Sequence, residues 1–246
     1  MPRKRVLLSW SGGKDSAWAL HLLQQRPEFE IVGLLTTINT HFGRVAMHGF
    51  RQELLEQQAE AASLPLWPVP LPWPCSNEQY ETAMAATCAR AVAEGIEAIA
   101  FGDLFLEDIR AYREARLAGT GLEPLFPCWH LPTDQLAREM VTAGLRAHLV
   151  CVDPRQLDAR FAGRLFDEAL LNELPASVDP CGERGEFHTF VSAGPMFALG
   201  GRSRSIEVRV GDIVERAGFG QSFIYADLLP AHSPSQALQQ NPASLR

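Results

Sequence analysis

The chain has 246 residues, 46% of them hydrophobic and 21% charged, which suits a soluble globular protein with one large domain or two smaller ones. A formal net charge of −7 argues against a nucleic-acid partner held by the field of the whole protein. No apolar run approaches the roughly 20 residues of a membrane span, and the apolar part of "MPRKRVLLSW" is too short for a signal peptide, so a cytoplasmic protein is expected.

"RVLLSW" reads as a buried strand entering the "SGG" turn. "DSAWALHLLQQ" sets Trp18, Ala19, Leu22 and Leu23 on one helical stripe that stops before Pro27. "FEIVGLLTT" is a second strand, residues 39–47 read as a mobile loop, and "HGFRQELLEQQAEAASL" is helical by period and propensity. This alternation implies a parallel sheet covered by helices.

"LPLWPVPLPWPC" carries five prolines and is at best a short edge strand leading into a stiff loop. In "SNEQYETAMAATCARAVAEG", Ser76 and Gln79 form a capping-box pattern and Gly95 is a stop. "IEAIAFGD" reads as a buried strand ending in Asp103, and "LEDIRAYREARLAG" as a charged helix. A helix in "TDQLAREMVTAG" and a strand in "RAHLVCVD" continue the pattern.

After Pro154 the character changes. "GRLFDEALLNEL" is helical, "PCGERGEFHTF" is glycine-rich and charged, and "SIEVRVGDIVERAG" alternates like antiparallel strands. The expected organisation is an α/β domain over 1–152, a smaller α+β domain over 153–230 and a disordered polar tail over 231–246, with the division placed to within about ten residues. Antiparallel strands near the C-terminus are of a kind that pairs across a homodimer, though no residue pattern demands it. The five scattered cysteines include no C-x-x-C pair and read as reduced packing residues.

A strand, a glycine turn and a helix start make an anion site, because glycines let backbone approach the ligand and the first helical turn offers free N–H groups. Ser11 and Ser16 add hydroxyls and Lys14 adds a charge. Asp15 beside phosphate makes sense if Mg²⁺ lies between them. An incidental strand-to-helix turn is the competing reading. The loop is not a Walker A motif, since Asp15 follows Lys14 and Leu8 stands five before Gly13, nor is it G-x-G-x-x-G.

Residues 179–197, "DPCGERGEFHTFVSAGPMF", look too polar and glycine-rich for core. Gly182 and Gly185 flank a turn expected to project Glu183 and Glu186 close together, to bind a cation or supply a base, unless it is merely a charged hairpin. Asp103 falls where open α/β sheets place ligands. Asp108, Arg110 and Arg113 follow on a helix. The two arginines share a face suited to phosphate or carboxylate, or equally to ion pairs with Glu107 or Glu114. His48 and Arg51 stand at a helix start, where a histidine is also often structural.

"SGGKDS" resembles the loop of the PP-loop ATP pyrophosphatases, the adenine nucleotide α-hydrolases. With "FGDLFLEDIRAYRE" and "CGERGEFHTF" in that order, the chain resembles the diphthine–ammonia ligase family over roughly residues 4 to 230. The resemblance implies a HUP-like nucleotide-binding domain that uses ATP and Mg²⁺. Ser9, Ser11, Gly12, Gly13, Lys14, Asp15 and Ser16, with Gly102 and Asp103, would hold the nucleotide, and Asp15 the metal. A substrate carboxylate would be adenylated with release of pyrophosphate, and ammonia would then displace AMP. His48, Arg51, Asp108, Arg110, Arg113, Glu183, Glu186 and His188 would form the substrate end, with Lys14, Asp15, Glu183 and Glu186 catalytic. A PP-loop tRNA-modifying enzyme and a non-catalytic ATP or AMP sensor remain the alternatives.

Overall fold

The computed structural model describes residues 2–199, 202–218 and 221–231, so the tail from His232 lies outside the described residues. The first sheet contains β1 (Lys4–Ser9), β2 (Phe29–Asn39), β3 (Arg44–Val45), β4 (Leu66–Leu71), β5 (Ala98–Ala100) and β6 (Glu123–Leu125). The second contains β7 (Arg146–Val152), β8 (Phe187–Leu199), β9 (Arg202–Ser205), β10 (Val208–Gly218) and β11 (Gln221–Pro230). The helices are α1 (Lys14–Gln24), α2 (Gln52–Ala62), α3 (Asn77–Ala93), α4 (Glu107–Leu117), α5 (Thr133–Thr142) and α6 (Glu168–Glu173). None of these is long and apolar enough to cross a membrane.

The first sheet is parallel in the order β4-β2-β1-β5-β6. The chain moves outward from β1 through β2 to β4, then returns to β5 on the other side. The carboxyl ends of β1 and β5 therefore flank the point where strand order reverses, the usual ligand crevice of such sheets. The two-residue β3 runs antiparallel to β2. Since Ile38 also pairs with Pro70 of β4, β3 must occupy the opposite edge of β2, beyond the end of β1.

The centre of β1, Val6 to Leu8, is apolar without alternation because both faces of the strand are covered there. Val6 and Leu8 enter a large core shared with α1, α2 and the second sheet, whereas Leu7 enters a smaller one with Leu35 and Ile99. In β4, Trp67, Val69 and Leu71 point inward while Pro68 and Pro70 face out. Prolines are tolerable there because this strand pairs only with β2. The capping box at the start of α3 is present, with Gln79 N donating to Ser76 Oγ at 3.2 Å and Ser76 N to Gln79 Oε1 at 2.9 Å.

Four expectations are corrected. The second helix starts at Gln52, not near His48, because Met47 and Gly49 have φ of 65° and 71°, which no α-helix accommodates. β5 ends at Ala100, so Asp103 lies three residues beyond it. β7 pairs antiparallel with β8 and β11, and so belongs to the second sheet. Most consequentially, residues 179–197 are largely core: Phe187, Phe190, Val191, Met196 and Phe197 are 0–1% exposed. Averaging over the segment mixed a glycine-rich turn (179–186) with a strand that lies against α1 and α2.

That strand is fastened by Gln58, which falls on the apolar stripe of α2 beside Leu54, Leu55 and Ala62 and is fully buried. Its Nε2 donates to Gly12 O at 2.9 Å and Val191 O at 2.8 Å, while its Oε1 accepts from Trp10 Nε1 at 3.0 Å. Gln58→Leu strands Trp10 Nε1 and takes a donor from Val191 O and from Gly12 O, the last of which keeps Val191 N, and is expected to destabilise the protein by about 2–3 kcal/mol. Urea unfolding measures this, and an unmoved midpoint would show that loop and strand hold together without it.

Candidate active site

The turn between β1 and α1 is shaped from two sides. Gly12 has φ 77°, and a Cβ there would lie 2.4 Å from Phe50 Cζ, so only glycine fits. A Cβ on Gly13 would lie 2.9 Å from His48 Nε2. From above, Val191 N donates to Gly12 O at 2.9 Å, and Lys14 N donates to Thr189 Oγ1 at 3.0 Å. Ser11 Oγ and Ser16 Oγ are 3.2 Å apart. Gly13 at the N-cap has no side chain to cap α1, and Thr189 takes only the first amide, Lys14 N, which leaves the next amides of the first turn to a ligand.

Next to this turn is a cleft of about 330 Å³, within the range of small-molecule sites. Ser9, Ser11, Lys14, Asp15, Ser16, His48, Gly102, Asp103, Arg113, Glu183 and His188 all line it. Sequence segments nearly 180 residues apart thus meet at one place. Gly102 is needed for close approach, since a Cβ there would sit 2.8 Å from Asp15 C and Ser16 N.

Lys14 is 2% exposed. Its Nζ lies 3.0 and 2.9 Å from the two carboxylate oxygens of Asp15, also donates to Cys181 O, and faces the rings of Phe166 and Phe187. Burial works against its charge, but Asp15, Cys181 and Glu183 together outweigh that, and the lysine pKa stands above its ordinary value. Burial raises Asp15 against the opposing pull of Lys14.

Glu183 accepts from Leu104 N at 2.8 Å. Burial is the main cause that pushes its carboxyl up to about 7, with Asp15 and Asp103 adding and Leu104 N–H and Lys14 opposing. The turn that presents it is organised by buried Asp179, whose Oδ1 accepts from Cys181 N at 2.9 Å and Glu183 N at 3.2 Å. Its Oδ2 accepts from Thr133 Oγ1 at 2.6 Å. His188 and His48 lie against each other with ring centroids 4.7 Å apart and planes tilted by 37°. Burial and then Lys14 hold His188 down to about 4, and burial, His188 and Lys14 hold His48 well below the usual range, so both rings are neutral at pH 7.

Several expected residues stand elsewhere. Glu186 is 1% exposed and turned inward, its Oε1 accepting from Asp179 N at 2.8 Å, so the turn separates the two glutamates instead of pairing them. Arg51 donates to Asp227 of β11 at 2.7 Å, beside Arg44, and fastens the second sheet to the start of α2. Arg110 pairs with Glu114 at 2.7 Å and lies over Phe126 and Trp129. Asp108 is exposed and does not line the cleft. Arg113 does line it, grips Asp103 at 2.8 and 3.3 Å, and stacks on Phe101. Sequence reasoning passed over Gln58, Asp179 and Thr189. Gln58 had a signal, a lone amide on an apolar helical stripe, while Asp179 and Thr189 had none outside the tertiary fold.

A mixed α/β chain whose parallel sheet carries this loop, roofed by a second antiparallel sheet, has the architecture of a PP-loop domain with a smaller C-terminal domain. Residues 4–122 match the diphthamide synthase N-terminal domain model, and residues 132–216 match the diphthamide synthase C-terminal domain model. Proteins named diphthine–ammonia ligase from Bos taurus and Homo sapiens are each 26% identical over 219 residues, covering 78% of this chain and 80% of theirs. The chain belongs to the diphthine–ammonia ligase family.

Glu183 also sets a pH dependence. Its folded pKa of about 7 exceeds the ordinary 4.5, so the unfolded chain releases its proton first as pH rises. Stability from this group is complete below 4.5 and is lost up to about 7. His188 runs oppositely, its contribution being complete above the ordinary 6.5 and lost as pH falls to about 4. In Glu183→Gln the decline between roughly pH 5 and pH 7.5 is expected to be reduced, read from urea midpoints at both ends. Parallel curves for the two proteins would refute the shift.

Proposed function

We propose that this chain is an ATP-dependent, AMP-forming ligase that converts a substrate carboxylate to an amide with ammonia. The observation that carries this is the loop itself: a helix N-terminus whose N-cap glycine offers no side chain and a buried lysine at the strand-reversal crevice, with an ionisable glutamate facing them from the turn before β8. The names of the relatives supply the ammonia and the amide-forming class.

In this reading the carboxylate oxygen attacks the α-phosphorus of ATP, the bond to the β-phosphate breaks, and pyrophosphate leaves. Ammonia then adds to the acyl carbon of the acyl-adenylate, and AMP departs. Lys14, the amides of the glycine turn and the hydroxyls of Ser11 and Ser16 hold the departing pyrophosphate, which is charge stabilisation at the group where charge develops. Asp103 keeps Arg113 extended across the cleft. Glu183 titrates near neutrality, where a carboxylate can take the proton that the attacking nitrogen loses. The neutral rings of His48 and His188 line the same space without adding cationic charge.

Among the described residues no group of three or more His, Cys, Asp or Glu could hold a metal ion by itself, so Mg²⁺ in this reading would be held by one carboxylate of the cleft, Asp15, together with the phosphates. It would there neutralise charge on the phosphates. Since Lys14 engages Asp15 on both oxygens, this pair has to open for that role.

ATP labelled at the α-phosphate, incubated with Mg²⁺, ammonium and a carboxylate pool, is expected to yield labelled AMP. Lys14→Ala is expected to lower that rate at least about 10²-fold, on the scale of losing one stabilising donor. ADP as the labelled product would overturn the reading, as would unchanged AMP formation by the Lys14 variant.

A further inference from the structure

The cleft has a neighbour. On the face of the first sheet that carries Leu7, α3 and α4 stand apart over a second cavity of about 480 Å³. Its floor is Leu35, Ile99 and Phe101, and its walls include Met84 and Cys88 of α3 and Leu117 of α4. Neither helix fills the gap: α3 buries only Cys88 and Ala91, and α4 only Leu117. Apolar surface is left standing on the walls, with Val92 42% and Tyr112 41% exposed.

Two features define what such a space takes. First, it is long. Its wall on α3 runs from Tyr80 to Val92, roughly 18 Å at the helical rise of about 1.5 Å per residue. Second, it borders the cleft. Leu35, Tyr80, Met84, Phe101 and Arg113 line both cavities, so the apolar chamber and the polar cleft meet along these five side chains, and the neck between them is this shared border. At that neck Arg113 is already oriented by Asp103 and by the face of Phe101. The Nε and one terminal nitrogen bind Asp103, which leaves guanidinium N–H groups to meet a second carboxylate. Across the outer side, Glu81 of α3 pairs with Arg116 of α4 and straps the two helices together.

We infer that the chamber receives the apolar body of the carboxylic acid that is activated in the cleft. The acid is an extended hydrocarbon chain whose carboxylate reaches the neck beside Arg113. This deepens the ligase reading above and rests on it. The nucleotide keeps the polar cleft, and the two substrates meet where the cavities join.

Straight-chain acetate, hexanoate and decanoate test this by calorimetric binding to the intact protein. Affinity is expected to rise along the series, by up to about fourfold for each methylene buried. Ala89 lines the chamber from the exposed side of α3, so Ala89→Trp fills the space without disturbing Cys88 or Ala91. That variant is expected to bind decanoate at least about tenfold more weakly while holding ATP within about twofold of the parent. Ala85→Trp, one turn earlier on the same wall, is expected to do the same, which guards against a single misfolded variant.

Affinity independent of chain length overturns the inference, as does undiminished decanoate binding by both variants. A loss of ATP affinity with decanoate unaffected overturns it too, because the chamber would then hold the nucleobase. AMP release is read separately. Chain-length-dependent binding that both variants lose, without AMP from any acid, upholds the chamber as an apolar-acid site and defeats the ligase reading instead.

Discussion

Everything in this site depends on how the backbone of three residues, Ser11 to Gly13, is held. The turn has no room for side chains and little regular structure of its own, yet it has to present a helix end in one orientation. Gln58 from below and the edge of β8 from above supply that orientation through hydrogen bonds to Gly12 O and Lys14 N. Each of these groups is buried, so each bond left unmade would cost the desolvation of its partner. The second sheet is therefore more than a lid. It is half of the mould in which the glycine turn is cast, and Thr189 of β8, amid phenylalanines, supplies the acceptor for Lys14 N.

The same enclosure sets the electrostatics. Low exposure pushes Glu183 up toward neutrality and His188 down to about 4. A carboxylate made more basic and imidazoles kept uncharged both lower the charge the site must carry when empty. Lys14 keeps its charge against burial because Asp15, with Cys181 and Glu183, stands against it. The pair is a closed arrangement in which each partner occupies the other's ligand-binding atoms, and an anion with its counter-cation is the natural replacement for both contacts. Desolvation, not any single hydrogen bond, is thus the common cause of the unusual titrating groups.

A division of labour between the two faces of the first sheet follows from packing. One face is filled: Val6 and Leu8 meet α1, α2 and, through them, the second sheet in a continuous core. The other bears two helices that bury three residues between them and leaves space beside the cleft. Alternation along β1 made this possible, since neighbouring residues of one strand serve different environments. A well-packed face backs the loop, while the looser one leaves the apolar cavity between α3 and α4.

The order of strands and helices up to β5, apart from the short β3 inside a stretch that reads as a loop, the capping box at Ser76, the edge character of the proline-rich strand and the glycine turn before α1 were legible in the residues, because each depends on local geometry: hydrophobic period, a side chain reaching its own backbone, a missing amide proton, a turn that needs glycine. Contacts between distant segments were not legible. Glu186 and Glu183 are three residues apart and look alike, yet one is sealed inside against Asp179 and the other lines the cleft. Arg110 and Arg113 are likewise neighbours on one helix, but only Arg113 reaches Asp103. The sequence by itself determined that a helix N-terminus, two glycines and a lysine would stand together after a buried strand. Only the tertiary structure decided which acids, histidines and arginines would face them, because that depends on how β8 and the turn before it settle across the loop, an outcome of burial summed over both sheets and not of any local pattern.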